Sequence, residues 1–223
     1  MAKLYFRYGA MNSGKSTALL QAAFNYEERG QRVLLAKPRV DTKGESQIVS
    51  RLGVARDVNF LLGPEESARA TFLHHAAGDE GGLQLRVELP PVACLLVDEA
   101  QFLTRSQVDD LMRIAVLDDV PVLAYGIRTD FQTRAFPGSG RLLELAHTLE
   151  ELKTICRCGR KALFNGRRVG DRFVFAGSQI AIDGEAVTYE SLCATCYLRE
   201  TGGRLGDGVD PDGASEHPKV TTP

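Results

Sequence analysis

A glycine-rich stretch near the start of the chain restricts the fold more than any other feature of the sequence. Residues 9–17 read Gly-Ala-Met-Asn-Ser-Gly-Lys-Ser-Thr, which matches the phosphate-binding pattern G-x-x-x-x-G-K-S. Gly9 and Gly14 permit the tight turns that bring a backbone close to a phosphate. The N–H groups of residues 11–16 can then surround the anion. Lys15 adds a positive charge for the β- and γ-phosphates, and Ser16 supplies a hydroxyl that suits Mg²⁺.

The segments around this loop predict an α/β fold. An aromatic-rich run at residues 3–8 is typical of a strand, and residues 17–24 are typical of a helix, so the helix N-terminus points at the loop. Three further strands are predicted at residues 32–37, 92–97 and 120–126. Three further helices are predicted at residues 63–77, 104–117 and 141–147. Because strands alternate with helices, we predict a P-loop NTPase-like parallel sheet flanked by helices over residues 1–150.

An acidic pair follows the most apolar of these strands. Residues 92–97 form a continuous apolar run, as expected of a strand buried on both faces, and Asp98 and Glu99 come directly after it. Ligands of open α/β sheets bind at the carboxyl ends of the strands, so both carboxylates are expected beside the phosphate-binding loop. We predict that Asp98 and Ser16 hold Mg²⁺. Cys94, inside the run, is expected to be a buried apolar residue.

Four of the five cysteines lie in the last third of the chain, in two closely spaced pairs. Without a secretion signal this clustering favours a metal site, although two disulfides are the alternative. The predicted ligands of one structural Zn²⁺ are Cys156, Cys158, Cys193 and Cys196. The first pair has the spacing C-x-C, which is tighter than the usual two to four intervening residues. Between the pairs we expect a strand at residues 168–175 and a long loop that the metal closes.

Composition bounds the remaining possibilities. We predict a small zinc-binding β domain at residues 151–199 and a disordered tail at residues 200–223. The net charge of −2 gives no basic surface for nucleic acid. No run approaches the ~20 apolar residues of a membrane span, so no membrane partner is expected. With no signal-peptide pattern, we expect a cytoplasmic protein.

Together these residues resemble the type II thymidine kinases. The similarity runs from about residue 3 to 199. It rests on residues 9–17, on Asp41-Thr42, on Asp-Glu-Ala-Gln-Phe at 98–102, on Arg-Thr-Asp-Phe at 128–131, and on the cysteine pairs with Tyr189 between them. The resemblance implies that ATP and thymidine are the partners and that the γ-phosphoryl group moves to the thymidine 5′-hydroxyl. It implies Glu99 as the catalytic base, and it implies a homotetramer.

The resemblance also implies which residues meet each substrate. The residues assigned to ATP are Gly9, Ala10, Met11, Asn12, Ser13, Gly14, Lys15, Ser16, Asp41, Asp98 and Gln101. The residues assigned to thymidine are Met11, Phe102, Ile127, Phe131, Asn165, Tyr189 and the loop residues Ile180, Ala181, Ile182, Asp183 and Gly184. In the family this loop is lasso-shaped and clipped by zinc, so its backbone can hydrogen-bond the base. Lys43 stands where the family often has Arg, and it lacks the bidentate fork.

Three other functions are compatible with parts of the sequence. A kinase for another pyrimidine deoxynucleoside, such as deoxyuridine, is the nearest alternative, because backbone recognition leaves the base specificity open. The segment at residues 98–101 also resembles a helicase box, which would indicate a nucleic-acid-stimulated ATPase. A chain of 223 residues with a net charge of −2 disfavours that function. A zinc-ribbon binding module with a regulatory P-loop is disfavoured because no N-K-x-D sequence is present.

Overall fold

The computed structural model describes residues 1–39, 46–78, 89–175, 177–179 and 187–206. Its strands are β1 (Leu4–Tyr8), β2 (Arg32–Pro38), β3 (Gln47–Val49), β4 (Ala55–Asp57), β5 (Phe60–Leu62), β6 (Val92–Val97), β7 (Val122–Gly126), β8 (Thr148–Glu151), β9 (Thr154–Ile155), β10 (Lys161–Ala162), β11 (Phe164–Val169), β12 (Arg172–Val174) and β13 (Val187–Leu192). Its α-helices are α1 (Lys15–Glu27), α2 (Ala68–Ala77), α3 (Arg105–Leu117), α4 (Pro137–Leu145) and α5 (Ala194–Thr201). A 3-10 turn spans Ala100–Phe102.

Six strands form the central sheet, and all of them are parallel, in the spatial order β5-β2-β6-β7-β1-β8. Parallel neighbours need crossover connections, and these place helices on both faces of the sheet. Helix α1 packs on one face through Leu19 and Ala23. Helices α2, α3 and α4 pack on the other through Phe72, Leu111 and Leu142. The predicted α/β class with a parallel sheet is therefore confirmed.

Strand β6 is the apolar run that the sequence predicted to be buried on both faces. Leu95 belongs to the core on the α3 side, and Leu96 belongs to the core on the α1 side. Cys94 is fully buried in the same strand, as expected of an apolar residue. Because both faces of β6 are covered, its carboxyl end delivers Asp98 and Glu99 to a fixed place on the edge of the sheet.

A smaller antiparallel unit follows the central sheet. It contains the pair β10-β9 and the three-stranded sheet β12-β11-β13, and its core includes Leu192, Tyr197 and three cysteines, Cys156, Cys193 and Cys196. The small β domain was predicted, but the single strand at residues 168–175 is wrong. Gly170, with φ 57°, turns the chain between β11 and β12, so this stretch is a hairpin.

Helix boundaries differ from the predictions where turns precede the helices. Helix α2 begins at Ala68 rather than near residue 64, because the Glu66 carboxylate accepts the Gly63 N–H (2.8 Å) in a preceding turn and Ser67 caps the helix. Helix α4 begins at Pro137 rather than residue 141, since proline suits a first helical turn. Among the described helices, none combines the length and the apolar character that a bilayer span requires.

The predicted domain limits stay predictions. Strand β8, the last strand of the central sheet, ends at Glu151, one residue beyond the expected boundary. Helix α5 carries the smaller unit to Thr201. Of the predicted tail, residues 207–223 lie outside the described part of the chain.

Candidate active site

The phosphate-binding loop connects β1 to α1 at the carboxyl edge of the sheet. Asn12 and Gly14 have left-handed backbone conformations (φ 65° and 77°), which turn the chain so that its N–H groups converge. Gly14 is the N-cap of α1, and no side chain caps that helix end. The N–H groups of the first helical turn are therefore directed at the space above the loop, where they can bind an anion.

Two residues of this loop have special packing. A Cβ atom on Gly9 would lie 2.4 Å from Ser13 Oγ and 2.5 Å from the Leu152 carbonyl oxygen, so only glycine fits there. Lys15 donates to the Ala10 carbonyl oxygen through its Nζ (3.0 Å). Burial lowers the pKa of Lys15, although the nearby charges of Glu99 and Asp98 act in the opposite direction. A bound phosphate would offset the cost of burying this ammonium.

Ser16 and Asp98 form the pair that was predicted to hold Mg²⁺. Ser16 donates from its hydroxyl to Asp98 Oδ2 (3.0 Å). The other carboxylate oxygen, Oδ1, is buried and has no hydrogen-bond partner among the described residues. Burial raises the pKa of Asp98 to about 6, and the adjacent Glu99 carboxylate adds to that effect. A hydroxyl and an unpaired buried carboxylate oxygen form a donor set that fits Mg²⁺, which prefers oxygen ligands.

Glu99 has a strained backbone and a fixed side chain. Its φ and ψ of 49° and 35° lie in the left-handed region, which costs a non-glycine residue of this kind about 1 kcal/mol or more. Gln101 donates from Nε2 to Glu99 Oε2 at 2.5 Å. Gln101 Oε1 in turn accepts the N–H of Ile127 at 3.2 Å, which determines which end of the amide faces Glu99. Gln101, assigned to ATP from the resemblance, thus orients the acidic residue in this structure.

One cleft of about 1030 Å³ joins the phosphate-binding loop to a second, more apolar region. Lys15 and Ser16 line one part, and Phe102, Ile127 and Tyr189 line the other. Glu99 lines the cleft as well. Phe102 packs edge-to-face against Phe136, with ring centroids 5.4 Å apart. Pockets for one small organic ligand measure about 300–1,000 Å³, so this cleft, at the upper end of that range, has room for two small molecules that meet near Glu99.

The sequence analysis assigned no site role to three polar residues at or beside the apolar region, which are Arg167, Asp130 and Gln179. Arg167 is buried and lies 3.7 Å above the Phe131 ring centroid, and it donates to the carbonyl oxygens of Ser178 and Gln179 (2.8 and 3.1 Å). Asp130 accepts the Gln179 side-chain amide (2.9 Å) through Oδ2. These contacts hold the start of the segment that leads to residues 180–186. Of these residues, only Asp130 could have been recognised from the local sequence. Its Oδ1 accepts the N–H groups of Gln132 and Arg134 in a turn that is typical of Asp.

Asn165 contacts the phosphate-binding loop as well as lining the cleft. Its Oδ1 accepts the Met11 N–H (2.7 Å), and its Nδ2 donates to the Thr129 carbonyl oxygen (2.9 Å). Each end of the amide makes one such bond and keeps one further lone pair or N–H, so the predicted contact of Asn165 with the nucleoside stays a prediction. The Met11 N–H is engaged by this bond, and its predicted contact with phosphate stays a prediction.

The four clustered cysteines form the predicted metal-binding group. Their sulfur atoms all lie within 4.8 Å of one another. Cys158 Sγ and Cys193 Sγ are 3.5 Å apart. A tetrahedral Zn²⁺ with bonds of about 2.3 Å would hold its sulfur ligands about 3.8 Å apart. The cluster fits zinc, and Cys193 also begins α5 by accepting the Cys196 N–H (3.4 Å).

Several residues assigned from the resemblance lie outside the described residues. They are Asp41, Lys43, Ile180, Ala181, Ile182, Asp183 and Gly184. Their roles stay predictions.

The fold and the cleft together define a class of protein. A phosphate-binding loop next to a cation-binding carboxylate serves nucleoside triphosphate chemistry. The apolar region beyond Glu99 gives room for an organic phosphoryl acceptor. The chain is therefore a P-loop kinase in its architecture.

The family follows from comparison with known proteins. The family model described as thymidine kinase matches residues 2–197. The chain belongs to the thymidine kinase family. Family membership makes it an ATP-dependent phosphotransferase.

Relatives named thymidine kinase are similar over most of their length. The protein of Chromobacterium violaceum is 47% identical over 199 residues, which cover 88% of this chain and 98% of that one. The protein of Ruegeria pomeroyi is 44% identical over 204 residues, covering 91% and 96%. The protein of Legionella pneumophila (strain Lens) is 44% identical over 208 residues, covering 92% of each.

Proposed function

We propose that this protein transfers the γ-phosphoryl group of ATP to the 5′-hydroxyl of thymidine, with Glu99 aligning the hydroxyl. The observation that carries the proposal is the single cleft in which Glu99 and the phosphate-binding loop share one space with an aromatic wall. Separate pockets would not permit direct transfer between two bound substrates. The family match supports the same activity.

Residues of the loop bind and orient the triphosphate. Backbone N–H groups from Asn12 onward and the first turn of α1 face the phosphates, and Lys15 neutralises charge on the transferring group. Ser16 and Asp98 would hold Mg²⁺, with the unpaired Asp98 Oδ1 as the available ligand oxygen. When bound, the ion neutralises charge on the β- and γ-phosphates.

Glu99 acts on the acceptor. A nucleoside hydroxyl is a very weak acid, so in a loose transition state the carboxylate mainly orients it and accepts the proton late. The hydrogen bond from Gln101 holds that carboxylate in one orientation. The left-handed backbone of Glu99 directs the side chain toward the cleft instead of continuing the strand.

The apolar region would hold the thymine base. Phe102 and Ile127 offer apolar walls, and Tyr189 lines the same cleft. We infer that residues 180–184 cover the base with backbone hydrogen bonds, because Arg167 and Asp130 anchor the preceding residue Gln179. A structural Zn²⁺ on the four cysteines would close the loop that carries these residues.

The test is a phosphorylation panel. Purified protein is given ATP and Mg²⁺ with thymidine, deoxyuridine, deoxycytidine or adenosine, and nucleoside monophosphate is measured. The expected result is the highest kcat/KM with thymidine, and Lys15→Ala serves as the inactive control. A higher kcat/KM with deoxyuridine would favour the nearest alternative. ATP hydrolysis that single-stranded DNA stimulates, with no nucleoside product, would overturn the proposal.

We also propose a homotetramer in the cytoplasm. The tetramer rests on the family resemblance alone. The cytoplasm is supported by the four thiols, which stay reduced and able to bind zinc in a reducing compartment. Light scattering after size-exclusion chromatography would measure the assembly, and a monomeric mass would contradict it.

A further inference from the structure

The backbone of Met11 is held at both of its polar groups by the smaller unit. Its N–H donates to Asn165 Oδ1 at 2.7 Å, and its carbonyl oxygen accepts the Ser191 hydroxyl. Asn165 on β11 and Ser191 on β13 face each other as register partners in the antiparallel pair. Two adjacent strands thus hold one residue of the phosphate-binding loop through both of its backbone polar groups. We call Asn165 and Ser191 the Met11 clamp.

Both residues of the Met11 clamp are buried, and a further hydrogen bond fixes the orientation of the Asn165 amide. Asn165 is 2% exposed and Ser191 is 7% exposed. The bond from Asn165 Nδ2 to the Thr129 carbonyl oxygen directs Oδ1 toward Met11. A further contact runs from Thr154 Oγ1 to the Asn12 carbonyl oxygen (3.3 Å). Buried, directed hydrogen bonds of this kind restrict the loop more than solvent-exposed ones would.

Met11 lies directly before the left-handed turn at Asn12. That turn is the first of the two that make the loop's N–H groups converge. If Met11 were free, the loop would sample other conformations, and ATP binding would have to order it at a cost in affinity. The clamp therefore acts on phosphate binding through Met11, without touching the phosphate.

The clamp is also joined to the cysteine cluster. Only Leu192 separates Ser191 from Cys193, and Leu192 is fully buried in the same core as Cys156, Cys193 and Cys196. The Leu192 carbonyl oxygen accepts the Leu163 N–H (2.8 Å). The end of β13 that carries Ser191 is thus fixed at the metal-binding group.

We infer that Ser191 is a positioning residue for the phosphate-binding loop, and that the zinc-binding unit thereby sets the affinity for the triphosphate. This rests on the proposed function only in taking the loop as the ATP site. A loop closed by zinc already implies that the metal affects thymidine binding. This inference adds an effect of the zinc-binding unit on ATP binding.

The test measures nucleotide affinity in Ser191→Ala. The probe is the Mg²⁺ complex of a non-hydrolysable ATP analogue, titrated into the full chain by calorimetry. One lost neutral hydrogen bond should weaken binding about five-fold. Ser191→Thr, which keeps a hydroxyl, should restore much of the affinity. Thr188→Ala is the matched control, because Thr188 is exposed and points to the other face of β13.

Two readouts separate positioning from general damage. The zinc content of Ser191→Ala should equal that of the wild type, and hydrogen exchange should rise in residues 9–14 but stay unchanged in β7. Unchanged nucleotide affinity at full zinc content would overturn the inference, and so would an equal loss in Thr188→Ala. If Ser191→Ala does not fold, the wild type is titrated before and after zinc chelation. Nucleotide affinity that survives zinc removal would then overturn the inference. None of these measurements requires that thymidine be the acceptor, so the clamp can fail while the kinase assignment stands.

Discussion

Two glycines of helix α4 offer a test of how the catalytic turn is held. A Cβ atom on Gly138 would lie 2.4 Å from the Ala100 carbonyl oxygen, 2.8 Å from that of Leu103 and 2.9 Å from that of Gln101. These oxygens belong to the turn that follows Glu99. A Cβ atom on Gly140, in the same helix, would meet only Ala135 Cβ at 3.8 Å. Gly138→Ala should therefore displace the turn, and Gly140→Ala should not.

The magnitudes follow from the contacts. Each substitution should stabilise the helix by about 1 kcal/mol, because alanine has a higher helix propensity than glycine. The difference in stability between the two variants therefore measures the cost of the clash at Gly138. We expect that cost to be about 1–3 kcal/mol, as is typical of overpacking. Each kcal/mol corresponds to about 2–4 °C in Tm for a chain of this size. An ordinary contact begins at 3.4 Å, so the Ala100 carbonyl must retreat by about 1 Å. A displacement of that size beside a reacting group can lower kcat by about 10²-fold.

The assay compares the two variants with the wild type. Thermal unfolding gives Tm, and steady-state kinetics with saturating ATP and thymidine gives kcat. Gly140→Ala should have a Tm equal to or above that of the wild type and a normal kcat. Gly138→Ala should have a lower Tm and a lower kcat. Equal Tm and kcat in the two variants would refute the claim that close packing against α4 fixes the position of Glu99.

Three other changes test the site. Lys15→Ala should abolish turnover while the fold stays intact, and near-native activity with a normal circular dichroism spectrum would contradict the role of the loop. Glu99→Gln should lower kcat by roughly 10²–10⁴, the usual range for a lost general base, while the ATP analogue still binds; a raised KM at unchanged kcat would instead make Glu99 a binding residue. One four-cysteine site holds about one zinc per chain, and Cys193→Ser should reduce that content and unfold the smaller unit locally. Full activity in a metal-free protein with two disulfides would exclude the zinc site.

The features that the sequence predicted correctly depend on short motifs and on the elements next to them. Helix α3 was predicted at residues 104–117, and it begins at Arg105 behind a capping box of Thr104 and Gln107. The pairing of Ser16 with Asp98 followed from two motifs that each require a strand end, so both had to lie on the same edge of the sheet. The four cysteines converge, as the two closely spaced pairs predicted, although the first pair is tighter than is usual for a metal site.

The features that the sequence did not predict depend on contacts between residues far apart in the chain, or they are exceptions to the usual behaviour of a residue type. Met11 and Asn165 are 154 positions apart, and no local pattern at either residue indicates that they meet. Arg167 is buried, although arginine is almost never buried without partners, and its partners are backbone carbonyls that sequence cannot identify. Strands β3, β4 and β5 have three residues each, which is too short for an alternating pattern to stand out.

The position of β1 in the sheet has a consequence for how the chain is made. This strand is synthesised before the other five strands of the central sheet, yet its neighbours there are β7 and β8, which begin at Val122 and Thr148. At a ribosomal rate of about 5–20 residues per second, roughly 6 to 24 seconds separate Leu4 from Val122. During that time a strand with three aromatic residues has no partner on either edge. The nascent chain must therefore keep its aromatic first strand from pairing with other polypeptides until the second half of the protein has left the ribosome.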